Sequence, residues 1–391
     1  MNTANLNISQ KALKSAVVAL LAAVFAVVAY YVYKLNFDPA FDNRWAVAEW
    51  LINYEDGGFK RRGLSGSISF LIQDLTGLSL STVVFASQML FFGLLLFYLG
   101  KLSISSRLNL LFLTLLFTPI TLLTYAYNPV SYAGRKEMIV MFTFAYFVYH
   151  LQNASYGKRQ EIIVKSLLVF GVLMHELTFF YIPYFLFAEY VSTGKASIRK
   201  AAGYLLPVLI PVGAITLMGG TVDQGSTREI LANRGVLIGA GGSLQYVDTV
   251  KAGYYITGFW TAYRWYIPAV LIGFLSYPFL LWQSGQKHRI KQFSLFFMIA
   301  LLFTAPMFIL AIDWGRWIHI HFMMLMTLAF LFLPTVTNGI NQQTDHKHQS
   351  WFNLLGLLMM VSSLFWKMDH CGYGMASGGF FDRIATLAGV Q

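Results

Sequence analysis

The stretch from residue 53 to residue 66 gathers charges of both signs between apolar segments. Its two acids are Glu55 and Asp56, and its three consecutive cations are Lys60, Arg61 and Arg62. Arginine offers a planar fork of donors that fits a phosphate, and lysine adds a point charge. A carboxylate beside them can take the proton of an attacking hydroxyl. The stretch therefore predicts a site that holds phosphate and moves a proton.

Five further polar clusters lie at the ends of apolar segments. In chain order they are Asp38, Asp42 and Arg44; Arg135, Lys136 and Glu137; His175 and Glu176; the loop cations Arg228, Arg234 and Arg264; and Asp313 with Arg316. Only 12% of the residues are charged, and charge beside a membrane is costly unless it has a partner or a role. Because all six clusters fall at the same predicted outer boundary, we expect them to converge on one cavity.

Each cluster also has a purely structural interpretation. The alternatives are extension of residues 60–62 to anionic headgroups, an outer turn at 135–137, a helix-end pair at 175–176 and an internal ion pair at 313–316. The loop cations are either separately solvated or part of a mobile lid. Residue types and spacing leave these alternatives open.

Composition identifies the elements that must position these residues. The chain has 391 residues, of which 57% are hydrophobic, and its mean hydropathy is +0.58. Apolar runs of about 17 to 25 residues recur along the whole chain, which is the length a helix needs to cross a bilayer. The sequence thus predicts an all-α, polytopic membrane protein, with residues 1–391 forming a single transmembrane domain.

The basic residues set the predicted topology. We expect about eleven spans with the N-terminus inside and the C-terminus outside, because this arrangement places most acids outside and gives the shorter inner loops about double the Lys and Arg density of the outer loops. The first span, about 13–33, resembles a signal peptide, but we interpret it as an uncleaved anchor. Outer loops 35–79 and 220–264 carry the predicted site, and a short helix from Leu64 to about Leu75 lies at the interface.

The apolar segment 162–192 has basic clusters at both ends. A single span would put one of those clusters outside. Two short helices that meet at His175 and Glu176 keep both clusters inside and bring this pair to the outer boundary. We therefore prefer two helices.

Other function classes find little support. The single Cys371 rules out a disulfide within the chain and any cysteine metal cluster. No nucleotide-binding motif occurs, and the net charge of +11 follows from the topology rather than from a nucleic-acid-binding face. His346 and His348 fit a solvated inner loop better than a metal site. We expect no cofactor, with a divalent cation as the open alternative.

The whole pattern resembles bacterial envelope-polysaccharide enzymes. Many spans, an acidic first outer loop with a short helix and arginine-rich outer loops are similar to the polyprenyl-dependent glycosyltransferases of the GT-C superfamily, and to Wzy-type O-antigen polymerases and their ligase relatives. In GT-C enzymes an acid of the first outer loop is the base or a metal ligand, which here implies Asp38, Asp42, Glu55 or Asp56. In the polymerases and ligases, arginines and a histidine matter, which implies Arg234, Arg264, Arg316 and His175. The chain lacks an Asp-x-Asp motif and a large outer C-terminal domain, which weighs against oligosaccharyltransferase-like members.

The resemblance implies a glycosyltransferase of the bacterial inner membrane that acts at its outer face on polyprenyl-linked sugars. A repeat-unit polymerase is the leading version; a GT-C transferase using a polyprenyl monophosphate donor and a transporter or flippase of the same lipid are the alternatives. Its partners would be the polyprenyl-linked oligosaccharide, the bilayer and other polysaccharide-assembly membrane proteins. The candidate catalytic residues are Asp38, Asp42, Glu55, Asp56, His175 and Glu176. The candidate substrate-binding residues are Lys60, Arg61, Arg62, Arg135, Lys136, Arg234, Arg264, Asp313 and Arg316.

Overall fold

The computed structural model describes residues 9–38, 45–55, 58–220, 223–238, 260–261, 263–310, 312–333, 346–372 and 374–387. It is 78% helical. Among the described residues, six helices are long and apolar enough to cross a membrane: Gln10–Phe37, Leu80–Ser105, Ile198–Met218, Tyr263–Gln283, Lys287–Ile309 and Trp314–Phe332. The protein is therefore an all-α, multi-pass membrane protein. The count of about eleven spans and the orientation of the termini stay predictions.

The first two long helices pack against each other. They are α1 (Gln10–Phe37) and α4 (Leu80–Ser105), and each begins with a serine whose hydroxyl accepts a backbone N–H of the first turn. Between them lie α2 (Trp45–Trp50) and α3 (Leu64–Thr76). The predicted short helix is thus confirmed as α3. It buries Phe70 and exposes Leu71 and Leu75, as an interfacial helix does.

The apolar segment 108–126 is long enough for a single span, but its helix is broken. It forms α5 (Leu110–Leu116) and α6 (Leu122–Tyr127), followed by the single turn α7 (Pro129–Tyr132). The break between α5 and α6 contains Pro119, which lacks the N–H that would continue the helix. The Thr121 hydroxyl lies 2.8 Å from the Leu115 carbonyl that the break leaves without a helical partner.

The predicted pair of helices around His175 is confirmed. After α8 (Met138–Gln152), α9 (Lys158–Met174) ends at His175, whose backbone is extended at φ −161°. A 3₁₀ segment (Glu176–Tyr181) and α10 (Ile182–Thr193) follow. His175 and Glu176 therefore stand at a break between two helices.

One helix forms the centre of the bundle. In chain order the remaining helices are α11 (Ile198–Met218), α12 (Gln224–Asn233), α13 (Tyr266–Gln283), α14 (Ile290–Leu310), α15 (Trp314–Ala329) and α16 (His346–Ser362). The apolar window of α15 is 94% buried, whereas that of α11 is 17% buried. Hence α15 is enclosed by protein, and α11 faces lipid. Arg316 enters the interior on the first turn of α15.

A small β-hairpin follows the last long helix. Its strands are β1 (Trp366–Met368) and β2 (Met375–Ser377), which pair antiparallel, and α17 (Gly379–Leu387) comes after them. Asn128 and Tyr266 donate side-chain hydrogen bonds to carbonyls of Met368 and Asp369, 3.1 and 3.2 Å away. The hairpin therefore rests on the bundle, where the sequence predicted only a tail.

Candidate functional site

A buried group of charged residues lies where α9 ends and α15 begins, and we call it the charged cluster. Its members are Glu49, Arg61, Arg62, Arg135, Lys136, Glu137, His175, Glu176, Asp313, Arg316 and His370. They come from the first loop, the turn before α8, the break after α9, the start of α15 and the C-terminal hairpin. Five distant segments thus meet at one place.

Glu49 on α2 occupies the interior of this cluster and is 1% exposed. Its carboxylate accepts from Arg62 at 3.4 Å and from Arg135 at 3.3 Å, and it lies 3.4 Å from Nε2 of His175. Burial alone would raise the pKa of Glu49. The hydrogen bond with His175 and the charge of Arg135 outweigh it and hold this pKa well below its usual range. Glu49 is therefore a fixed negative charge.

Arg316 forms an ion pair with Glu137, the second acid in the interior of the cluster. Its Nε lies 2.5 Å from Oε1 of Glu137, and its Nη1 donates to Asp313 at 3.1 Å. The close Glu137 contact is an ion pair, because the angles do not make it a hydrogen bond, and neither Glu137 oxygen accepts one within the described part of the chain. The Arg316 guanidinium also lies 4.5 Å from the ring of Trp317.

Arg62 forms the strongest pair at one end of the cluster. It donates to both oxygens of Glu176, at 2.8 Å from Nη2 and 3.1 Å from Nε. Its backbone is left-handed at φ 66°, which is strained for a residue with a side chain. Lys136 donates to the Arg62 carbonyl at 3.3 Å, and burial lowers the pKa of Lys136 to about 7. The strained turn at Arg62 is thus held in place by its contacts with Glu176 and Lys136.

His175 lies deep among these groups and is 2% exposed. Its Nδ1 accepts the backbone N–H of Leu177 at 3.3 Å, and its Nε2 lies 3.2 Å from Nη2 of Arg316 and 3.4 Å from a carboxylate oxygen of Glu49. Burial, and then the charge of Arg62, lowers the pKa of His175 to about 4. The ring is therefore neutral at neutral pH.

Exposure shows that the cluster opens at two ends. At the first end, the side chains of Arg61 and Glu176 are 36% and 22% exposed. At the second end, those of Asp313 and His370 are 25% and 16% exposed. Between the two ends the cluster is closed to solvent. A small ligand can reach either end without moving the interior acids.

The structure brings together eight of the residues predicted for the site. They are Arg61, Arg62, Arg135, Lys136, His175, Glu176, Asp313 and Arg316. Asp42 and Asp56 lie outside the described residues. Convergence at one place is thus observed for four of the six polar clusters.

Other predicted residues lie elsewhere. Arg234 forms ion pairs with Glu55 and with Asp74, both at 2.8 Å, on the surface beside α3. Arg264 is exposed and lies over the ring of Trp265. Asp38 and Lys60 are also not among the members of the charged cluster. Asp38 caps the end of α1 beside Lys34. Lys60 is buried and forms a backbone bridge with Gly220.

Three members of the cluster were not among the predicted site residues: Glu49, Glu137 and His370. Glu49 had a weak signal, being an acid between apolar residues in Trp45–Trp50. Glu137 was counted in the polar cluster with Arg135 and Lys136 but was given no role in the site. His370 had no signal, because the tail gave no sign of returning to the bundle.

The chemistry of the cluster suits an anion better than a metal ion. Within the described residues, no three His, Cys, Asp or Glu side chains are arranged to hold a metal. Its acids contact arginines instead, and its arginines are suited to phosphate. Comparison with protein-family models, with curated proteins and with solved structures finds no match for this chain.

Proposed function

We propose that this protein is a membrane glycosyltransferase of the bacterial inner membrane that acts at the outer face. Its donor would be a sugar carried on a polyprenyl phosphate or diphosphate, and polymerisation of repeat units is the leading version. The observation that carries the proposal is the convergence of Arg61, Arg62, Arg135 and Arg316 on one partly buried site among apolar helices.

The donor phosphates would enter at the more exposed end. Arg61 and Arg62 share the carboxylate of Glu176 there, at 3.4 and 2.8 Å. An incoming phosphate can replace this carboxylate on the Arg62 fork, since a carboxylate and a phosphate each present two oxygens that can accept two parallel hydrogen bonds. Glu176 is the acid to be displaced because it is more exposed than Glu49.

The arginines would act mainly in the transition state. When the bond between the sugar and its phosphate breaks, the leaving group gains negative charge, and a preorganised cation then interacts with it more strongly. Glu49 and Glu137 keep Arg135 and Arg316 in place before the substrate arrives. The acids of the interior therefore have a positioning role.

A transporter of the same lipid is the second candidate. One observation favours it, because His319 and His321 continue the buried polar groups of α15 beyond Arg316. His321 contacts the hydroxyls of Tyr184 and Thr304 at 2.7 and 2.8 Å. Polar groups at this depth are typical of substrate pathways.

One experiment separates these functions. Purified protein is incubated with a radiolabelled polyprenyl-diphosphate oligosaccharide, and the products are resolved on a gel. A ladder supports the polymerase, whereas one added sugar from a monophosphate donor supports the single-sugar transferase. Intact lipid crossing a vesicle membrane without any product would overturn the proposal and support transport.

A further inference from the structure

The C-terminal hairpin brings a histidine into the charged cluster. His370 lies in the connection between β1 and β2, and its Nε2 is 3.0 Å from Nη2 of Arg135 and 3.4 Å from Oδ1 of Asp313. The ring also packs edge-on against Tyr132, with the centroids 5.5 Å apart. The histidine is therefore held between a cation and an acid.

The two contacts of Nε2 require different protonation states. Arg135 can donate to Nε2 only when this nitrogen is unprotonated, and Nε2 can donate to Asp313 only after it has gained a proton. Proton uptake thus exchanges an arginine partner for a carboxylate partner at the same atom. This is the arrangement of a general base that is backed by an acid.

Access distinguishes the two histidines of the cluster. The His175 side chain is 2% exposed and is enclosed by Glu49, Glu137 and Glu176. The His370 side chain is 16% exposed and lies at the second open end. His370 is therefore the more accessible of the two histidines.

We infer that His370 is the catalytic base of the reaction and that Asp313 is its positioning residue; this inference rests on the proposed function. The acceptor hydroxyl oxygen forms a bond to the anomeric carbon of the donor sugar, and the bond from that carbon to the phosphate oxygen breaks. The electron pair of the broken bond leaves with the polyprenyl phosphate, which for this step lies on Arg135 beside His370, after the donor has displaced Glu176 and moved inwards from the first end. The hydroxyl proton moves to Nε2 of His370, which then pairs with Asp313 instead of Arg135, and the proton is later released to solvent.

The surroundings of His370 keep it ready to accept a proton. The charged and titratable groups that face it are Arg135, Arg316, Asp313, Tyr132, Asp369 and Cys371. Burial, followed by the charge of Arg135, lowers the pKa of His370, and Asp313 opposes this effect. The ring is therefore neutral at neutral pH, and the acid limb of the rate profile should lie below pH 6.5, the ordinary pKa of histidine.

The test compares His370→Gln with Ser377→Ala, a change at an exposed position of β2 in the same hairpin, in the full-length protein. We expect His370→Gln to reduce kcat by about 10²- to 10⁴-fold, to retain binding of the polyprenyl-diphosphate oligosaccharide and to lose the acid limb. Asp313→Asn should move that limb to lower pH, and Ser377→Ala should retain both the rate and the profile. Gel filtration checks that each variant is folded.

The outcomes distinguish the inference from the proposed function. Product formation by the unaltered protein together with an unchanged rate for His370→Gln would overturn the base assignment and leave the glycosyltransferase standing. No product from the unaltered protein would overturn both. If His370→Gln does not fold, Asp313→Asn decides, because removing the carboxylate that favours the protonated ring must move the acid limb to lower pH, and a limb that does not move would overturn the base assignment.

Discussion

Arg135 donates to His370 across 3.0 Å, which joins two residues 235 positions apart in the chain. The same guanidinium donates to Glu49 at 3.3 Å. Arg135 therefore connects the closed interior of the charged cluster to its second open end. This one side chain thus links His370 of the hairpin to the negative charge of Glu49 in the first loop.

Neutralising Glu49 should destabilise the fold. Glu49→Gln leaves Arg135 without its buried counter-charge and removes one of the two acids that pair with Arg62, and breaking a buried pair costs about 3 to 5 kcal/mol. Thermal unfolding in detergent should show a markedly lower Tm. The matched control is Glu161→Gln, since Glu161 is 45% exposed and pairs only at the surface with Lys165. Equal Tm values for the two variants would contradict a central role for Glu49.

Removing a phosphate-binding arginine should stop the reaction without stopping insertion. Arg61→Ala and Arg316→Ala are expected to abolish chain growth, because each removes a cation from the proposed phosphate site. Gel analysis of the polymer measures the effect, and Arg199→Ala, which changes an exposed residue at the start of α11, is the control. Full polymer length in both variants would end the phosphate-binding proposal.

The surface pairs of Arg234 should matter much less for stability. Arg234 bridges Glu55 and Asp74, whose side chains are 44% and 57% exposed. Exposed pairs contribute roughly 0 to 1 kcal/mol each. Arg234→Ala should therefore lower the Tm far less than Glu49→Gln does in the same detergent. A loss as large as that of Glu49→Gln would show that the bridge has a larger structural role.

Acid should destabilise the folded protein through His175. Its pKa is lowered from 6.5 to about 4 on folding, so the unfolded chain takes up the proton first as the pH falls. The stability contribution is complete above pH 6.5 and is lost as the pH falls towards 4. His175→Gln should flatten the dependence of Tm on pH in this window. An unchanged slope would mean that other groups cause it.

Local patterns in the sequence predicted part of this arrangement. Two basic clusters flanking a largely apolar segment of 31 residues predicted the break at His175, and the short apolar run after Gly63 predicted α3. These features depend on neighbours in the chain, which a sequence displays directly. The roles given to the arginines remain predictions.

The rest depends on contacts between distant segments. Nothing near Glu55 indicates that its partner is Arg234, and nothing near His370 indicates that Arg135 is its partner. Three-residue strands carry too short a pattern to be recognised among apolar residues. It was therefore easier to predict which residues belong to the charged cluster than to predict which of them form pairs.

The close approach of the hairpin to the start of α15 constrains how this protein can vary. A Cβ atom at Gly315 would lie 1.8 Å from the carbonyl oxygen of Asp369, so any other residue at position 315 displaces the hairpin. In relatives that keep the hairpin in this place, we expect glycine at this position whatever the sugar they use. Loss of this glycine in a related chain would mark a protein whose site is built without His370.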